Sequence, residues 1–115
     1  MTETADIETE IRRLRVRIIG LTTVQLAEAG ENSPVADSGE RLSRRATIAE
    51  ALAEFSAIGS EGRPVPELND ESLPDQVVVL LSHGMRTASE LTEPDREEML
   101  AALLDAAVRL RRALA

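Results

Sequence analysis

Apolar residues recur along the first quarter of this chain at helical spacing. Ile7, Ile11, Leu14, Ile18 and Leu21 form one seam of an amphipathic helix. A second apolar set, Val16, Ile19, Thr23 and Leu26, lies off that seam. The pattern predicts a single helix over about 4–29 with two apolar faces. Such a helix must bury both, either centrally or against a partner. Ile11, Leu14, Val16, Ile18 and Ile19 are therefore the expected interface residues. Glu8 before Arg12 and Glu10 before Arg13 stand at ion-pair spacing for the exposed face.

Gly30 to Ser38 reads as a loop. Asp37 with Glu40 has the form of a capping box, opening a second helix over about 39–58. Ile48, Leu52, Phe55 and Ile58 mark its buried face, and Gly59 is its stop. Residues 59–71, with Gly59, Gly62, Pro64 and Pro66, form a second loop. It is long for a compact domain, and such loops are often functional or mobile. Ser72-Leu73-Pro74-Asp75 and Thr92-Glu93-Pro94-Asp95 then repeat one helix-start pattern: a hydroxyl cap, a proline in the first turn and a carboxylate. They open helices over about 73–91 and 93–114.

Val77 to Leu81 would suit a buried strand by propensity, but no second strand exists to pair with it. It is read as fully buried helix. Gly20 and Gly84 fall inside predicted helices, where close packing is the simplest account. Together these elements predict one all-α domain over 1–115, an antiparallel four-helix bundle built from two helical hairpins.

Charge narrows the function. There are 21 carboxylates against 13 cationic side chains, all Arg, for a net charge of −8. That balance argues against nucleic acid and against anionic membranes as partners. The longest aliphatic run falls far short of the ~20 residues that span a bilayer. Met1 to Glu10 carries acids and no basic residue, the reverse of a leader. The expectation is a cytoplasmic protein, and the Ala- and Arg-rich, Lys-free composition suggests a GC-rich bacterial source.

Candidate chemistry is sparse. No Cys is present, which excludes disulfides, thiolate metal sites and cysteine nucleophiles. A P-loop needs Lys, and a di-iron bundle needs two Glu-x-x-His pairs where this chain has one His. Glu67, Asn69 and Glu71 alternate like calcium ligands but lack the glycine and final acid of such a loop. No cofactor or metal is expected. His83 is the one side chain suited to acid–base or ligand work near neutral pH. Its neighbour Ser82 points about 100° away on a helix and is no nucleophile partner. A partly buried structural role is the first expectation for His83, with ligand binding or catalysis as the alternative.

The leading functional expectation is a small non-enzymatic helical protein, a homodimer that also binds another protein as regulator, adaptor or assembly factor. Two alternatives stand beside it. One is a small-ligand or enzymatic domain using His83. The other is a DNA-binding regulator that brings Arg12, Arg13, Arg15 and Arg17 together with Arg41, Arg44 and Arg45. The start of the second helix superficially resembles a helix-turn-helix, but Pro64 and Pro66 stand where its recognition helix would be.

Overall fold

The computed structural model describes residues 1–115. Its regular elements are all helical: α1 (Thr4–Ile19), α2 (Thr23–Ala27), α3 (Arg44–Gly59), α4 (Leu73–Ser89) and α5 (Asp95–Ala113), with one 3-10 turn over Asp70–Ser72. Extended pairing is limited to two isolated bridges, Ala29 with Ser43 and Val35 with Arg41.

The predicted first helix is in fact two. Its seam is as expected, with Ile7, Ile11, Leu14 and Ile18 buried. Helix α1 stops at Gly20, and the chain restarts through a capping box. The Gln25 N–H donates to Thr22 Oγ1 at 3.1 Å, and the Thr22 N–H donates to Gln25 Oε1 at 2.9 Å. This reciprocal cap satisfies two donors that a continuous helix would have bonded elsewhere, so a break costs little here. The redirected chain carries Leu21 and Leu26 into the core.

Helix α3 begins at Arg44, five residues later than expected. The Asp37–Glu40 box does not form. A miniature hairpin replaces it: the Ala36 N–H donates to the Glu40 carbonyl (2.8 Å), Gly39 to Ala36 (2.9 Å) and Leu42 to Pro34 (2.9 Å). Gly39 sits at φ +87°, the left-handed position that a three-residue hairpin loop requires. The true cap of α3 is Ser43, whose Oγ accepts from the Ala46 N–H at 3.0 Å. Neither Ser72 nor Thr92 makes the expected side-chain cap; Ser72 Oγ donates to Asn69 Oδ1 instead, and α5 starts only at Asp95. Val77 to Leu81 is helical, as read, yet not fully buried: Val79 is 63% exposed.

Cross-links between helices reveal their directions. Thr2 meets Glu97, Glu10 meets Arg111 and Arg17 meets the Leu114 carbonyl, so α1 and α5 run the same way. Arg45, at the start of α3, holds Asp70 just before α4, and Gly59, at the end of α3, abuts Gly84. Helices α3 and α4 therefore also run the same way. Helices α4 and α5 pack on each other and each packs on both α1 and α3, which scarcely touch. Of the two expected hairpins only α4–α5 is present. The reason lies in the connection from Ser60 to Ser72. Extended chain covers up to about 3.3–3.6 Å per residue. Helix α3 has 16 residues rising about 1.5 Å each. The segment is thus long enough to travel back along the bundle and start α4 beside the start of α3.

Two glycines set the closest approach. A Cβ on Gly59 would stand 2.6 Å from the Gly84 Cα, and one on Gly84 would stand 2.9 Å from Leu103 Cδ1. Helices α3, α4 and α5 converge there, which is the packing account expected for Gly84. Gly20 has no such role, being the terminus of α1. Around this point lie Phe55, Val77, Leu81 and Leu103, all fully buried.

Candidate ligand groove

The returning segment does not lie flat on the bundle. Between it and α4 runs a groove of about 500 Å³, within the range of small-molecule sites. Three anchors hold the segment as the outer wall. Ser56 Oγ donates to the Arg63 carbonyl at 2.6 Å, Gln76 Nε2 donates to the Pro66 carbonyl at 2.9 Å, and Arg45 grips Asp70 with two bonds of 2.7 Å. The Arg45 bonds hold the Asp70 carboxyl below the usual carboxylate range, and Asp70 raises Arg45 in turn.

The groove has an apolar middle and a polar end. Val65 and Leu68 of the wall face Val79 and Leu80 of α4. At one end, the contact of Gly59 with Gly84 sets Ser60 beside the turn of α4 that carries His83. The Ser56 bond brings Arg63 to the same end. Ser60 is only 8% exposed. Ser60, His83 and Arg63 all line the groove, and none of their side chains makes a hydrogen bond within the protein. Asp75, in the first turn of α4, lines the groove about 12 Å from His83, counted at 1.5 Å rise per residue.

His83 is thus half-buried on a groove rather than packed in a dry core. Its sequence position alone indicated a helix interior. The signal for the groove was the long Gly- and Pro-containing loop 59–71, but nothing in it specified which helix it would return along.

The five expected interface residues divide. Ile11, Leu14 and Ile18 are core. Val16 and Ile19, one turn apart, are 70% and 56% exposed. Glu10, expected on the surface, is buried at 5% exposure. It accepts from Arg111 Nε at 2.6 Å and Arg13 Nη1 at 3.2 Å. The signal was available, since Glu10 stands three residues after Ile7 on the buried seam. The expected Glu8–Arg12 pair is not made; Arg12 donates to Thr9 Oγ1.

Most of the other arginines act as struts. Arg17 caps the Leu114 carbonyl, Arg41 donates to Ser33 O and Arg44 to Gln25 O. Arg109 bridges Glu54 and Asp105, whose bonds raise it above its ordinary value. That bridge borders a larger cavity of about 690 Å³ between α3 and α5, where Arg109 is paired with Glu54 and Arg111 with Glu10. The two arginine groups of the DNA reading lie on α1 and near the start of α3, helices on opposite sides of the α4–α5 pair. No helix is long and apolar enough to cross a membrane.

The sequence matches no protein-family model, no curated protein and no solved structure.

Proposed function

We propose that this chain is a small, non-enzymatic helical interaction protein of the cytoplasm, a regulator, adaptor or assembly factor that self-associates through the outer face of α1. The observation that carries this reading is the exposure of Val16 and Ile19 side by side on a helix whose inner seam is already filled. Arg12 and Arg15 flank them without a carboxylate partner, so the strip joins apolar surface to free cations on an otherwise acidic molecule. In a two-fold pair each strip meets its own copy. Fully burying a Val or Ile side chain contributes about 1.5–3 kcal/mol, so one strip supports a weak, concentration-dependent dimer.

Light scattering with refractive-index detection tests this, since the chain has no Tyr or Trp. The expected mass rises from 12.5 kDa toward twice that with concentration. A double substitution, Val16→Glu with Ile19→Glu, holds it at the monomer value. A wild-type protein that stays monomeric at every concentration overturns the dimer.

A second reading, ligand binding at His83, is favoured by one observation: three unpartnered donors gather at one end of an apolar groove.

A further inference from the structure

The groove between α4 and the returning segment is asymmetric in charge, and the asymmetry selects a ligand. We propose that it binds an aliphatic monocarboxylate of medium chain length, with the carboxylate on Arg63, Ser60 and His83 and the chain on Val65, Leu68, Val79 and Leu80. The inference rests on the ligand-binding reading of His83 and specifies its chemistry.

Three donors carry the head group. The Ser60 hydroxyl belongs to a residue that is more than nine-tenths buried, lines the groove and has no protein partner. No fully buried side-chain oxygen or nitrogen lacks a partner, so this hydroxyl still reaches water and is open to a ligand oxygen. Arg63 adds a planar guanidinium free of any carboxylate, the group best shaped for a carboxylate's two oxygens. His83 adds a ring N–H from the floor. All three can donate, so the complementary head group is an anion that accepts.

The remainder of the lining defines the body. Val79 is 63% exposed and, like Leu68, remains in contact with water in the empty groove. The lining contains no Phe, Tyr or Trp, and its one aromatic ring, His83, stands at the polar end rather than along the apolar middle. At the far end stands the Asp75 carboxylate, held there by the positive start of α4. It repels a second anion, so the ligand carries one carboxylate and enters in one orientation.

An extended peptide is a poorer occupant. Its amides would need backbone partners along the wall. Pro64 and Pro66 offer no N–H, and the Pro66 carbonyl already accepts from Gln76. An alkyl chain brings no amides to satisfy.

The test titrates the isotope-labelled full chain with octanoate, octylamine and octanol, following the methyl resonances of Val65, Val79 and Leu80 and the ring of His83. Octanoate shifts these groups together. Octanol binds roughly tenfold more weakly or worse, because loss of a charge-assisted bond costs at least that factor. Arg63→Ala, at an exposed position, leaves the thermal midpoint unchanged and weakens octanoate by a similar factor, without affecting octanol. Ser60→Ala does the same to a smaller degree.

Equal binding of octanol and octanoate overturns the carboxylate assignment while leaving a ligand groove in place. Failure of all three probes to shift the groove at millimolar concentration overturns both the inference and the ligand reading beneath it. Tighter binding of a short peptide with an aliphatic C-terminal residue at the same resonances replaces the free acid with a chain terminus and overturns the small-molecule class.

Discussion

Two long connections join the helices of this protein, and they hold their shape by opposite means. Both are built from the same residue types, with Gly20, Gly30, Pro34 and Gly39 in the first and Gly62, Pro64 and Pro66 in the second. Residues 20–43 are organised from within. They contain α2 with its capping box, a three-residue hairpin at Gly39, and a buried Ser33 whose Oγ accepts from the Gly30 N–H at 2.8 Å. The Arg44 N–H closes the segment on the Glu28 carbonyl at 2.9 Å. Residues 60–72 are held from outside. Between Pro64 and Leu68 no backbone group bonds to another, and side chains of α3, α4 and Arg45 supply the anchors. A connection that satisfies its own backbone becomes scaffold. One pinned only at intervals stands off from the surface and encloses a groove.

The sharpest way to break this contrast is at the point where the second connection leaves α3. Gly59→Ala drives a Cβ into the backbone of Gly84. Backbone cannot swing aside as a flexible side chain can, so the cost is about 3 kcal/mol. A chemical-denaturation midpoint measures it, and an unchanged midpoint would mean the two helices are not held at that distance.

Within the first connection, Ser33→Ala leaves the buried Gly30 N–H without its acceptor. The expected destabilisation is about 1–3 kcal/mol, read from the same transition as global unfolding. A loss confined to local exchange, with no shift in midpoint, would make this connection as separable as the second.

Asp70→Asn tests the second connection alone. It removes the charge from the Arg45 contact while keeping the side-chain shape. Amide exchange over residues 64–72 accelerates, and the midpoint moves less than for Ser33→Ala, because an exposed ion pair contributes little to global stability. A midpoint shift as large as that of Ser33→Ala would collapse the distinction.

The smallest effect is in acid. Hydrogen bonds from Arg45 depress the folded Asp70 carboxyl. Its stabilisation is therefore present above the unfolded aspartate value of about 3.9 and is lost as pH falls through the lower folded value. Exchange over 64–72 rises in that window, while residues 30–43 contain no carboxylate in an ion pair and stay protected. Glu97 is also depressed, by the Thr2 N–H and hydroxyl, so Thr2 loosens in the same range and serves as an internal reference. Simultaneous loss of protection in both connections would count against separate control.

Much of the fold was readable because it is local. The seam of α1, the buried face of α3, the helical state of Val77 to Leu81 and the packing role of Gly84 follow from spacing and from the lack of any strand partner. The misplaced helix starts were also local, and of one kind. Asp37–Glu40, Ser72 and Thr92 each have the residue types of a helix cap, but another cap or turn took the backbone donors. Thr22 and Gln25 had the same signature and formed it, inside what periodicity alone made one helix. Capping motifs mark where helices can start; competition among neighbouring turns decides where they do.

The sequence by itself determined an all-helical chain, its main buried stripes and the lack of chemistry for thiolate, P-loop or paired-imidazole sites, because these depend on residue identity and short-range spacing. Only the tertiary structure decided that α3 and α4 run the same way, that Glu10 is buried against Arg111, and that Ser60, Arg63 and His83 share one end of a groove. Loop length permits either a tight return or a crossover at similar entropic cost. The choice is made by long-range contacts, Gly59 on Gly84 and Arg45 on Asp70, whose partners lie 25 residues apart. No periodicity over a single helix encodes such a pairing.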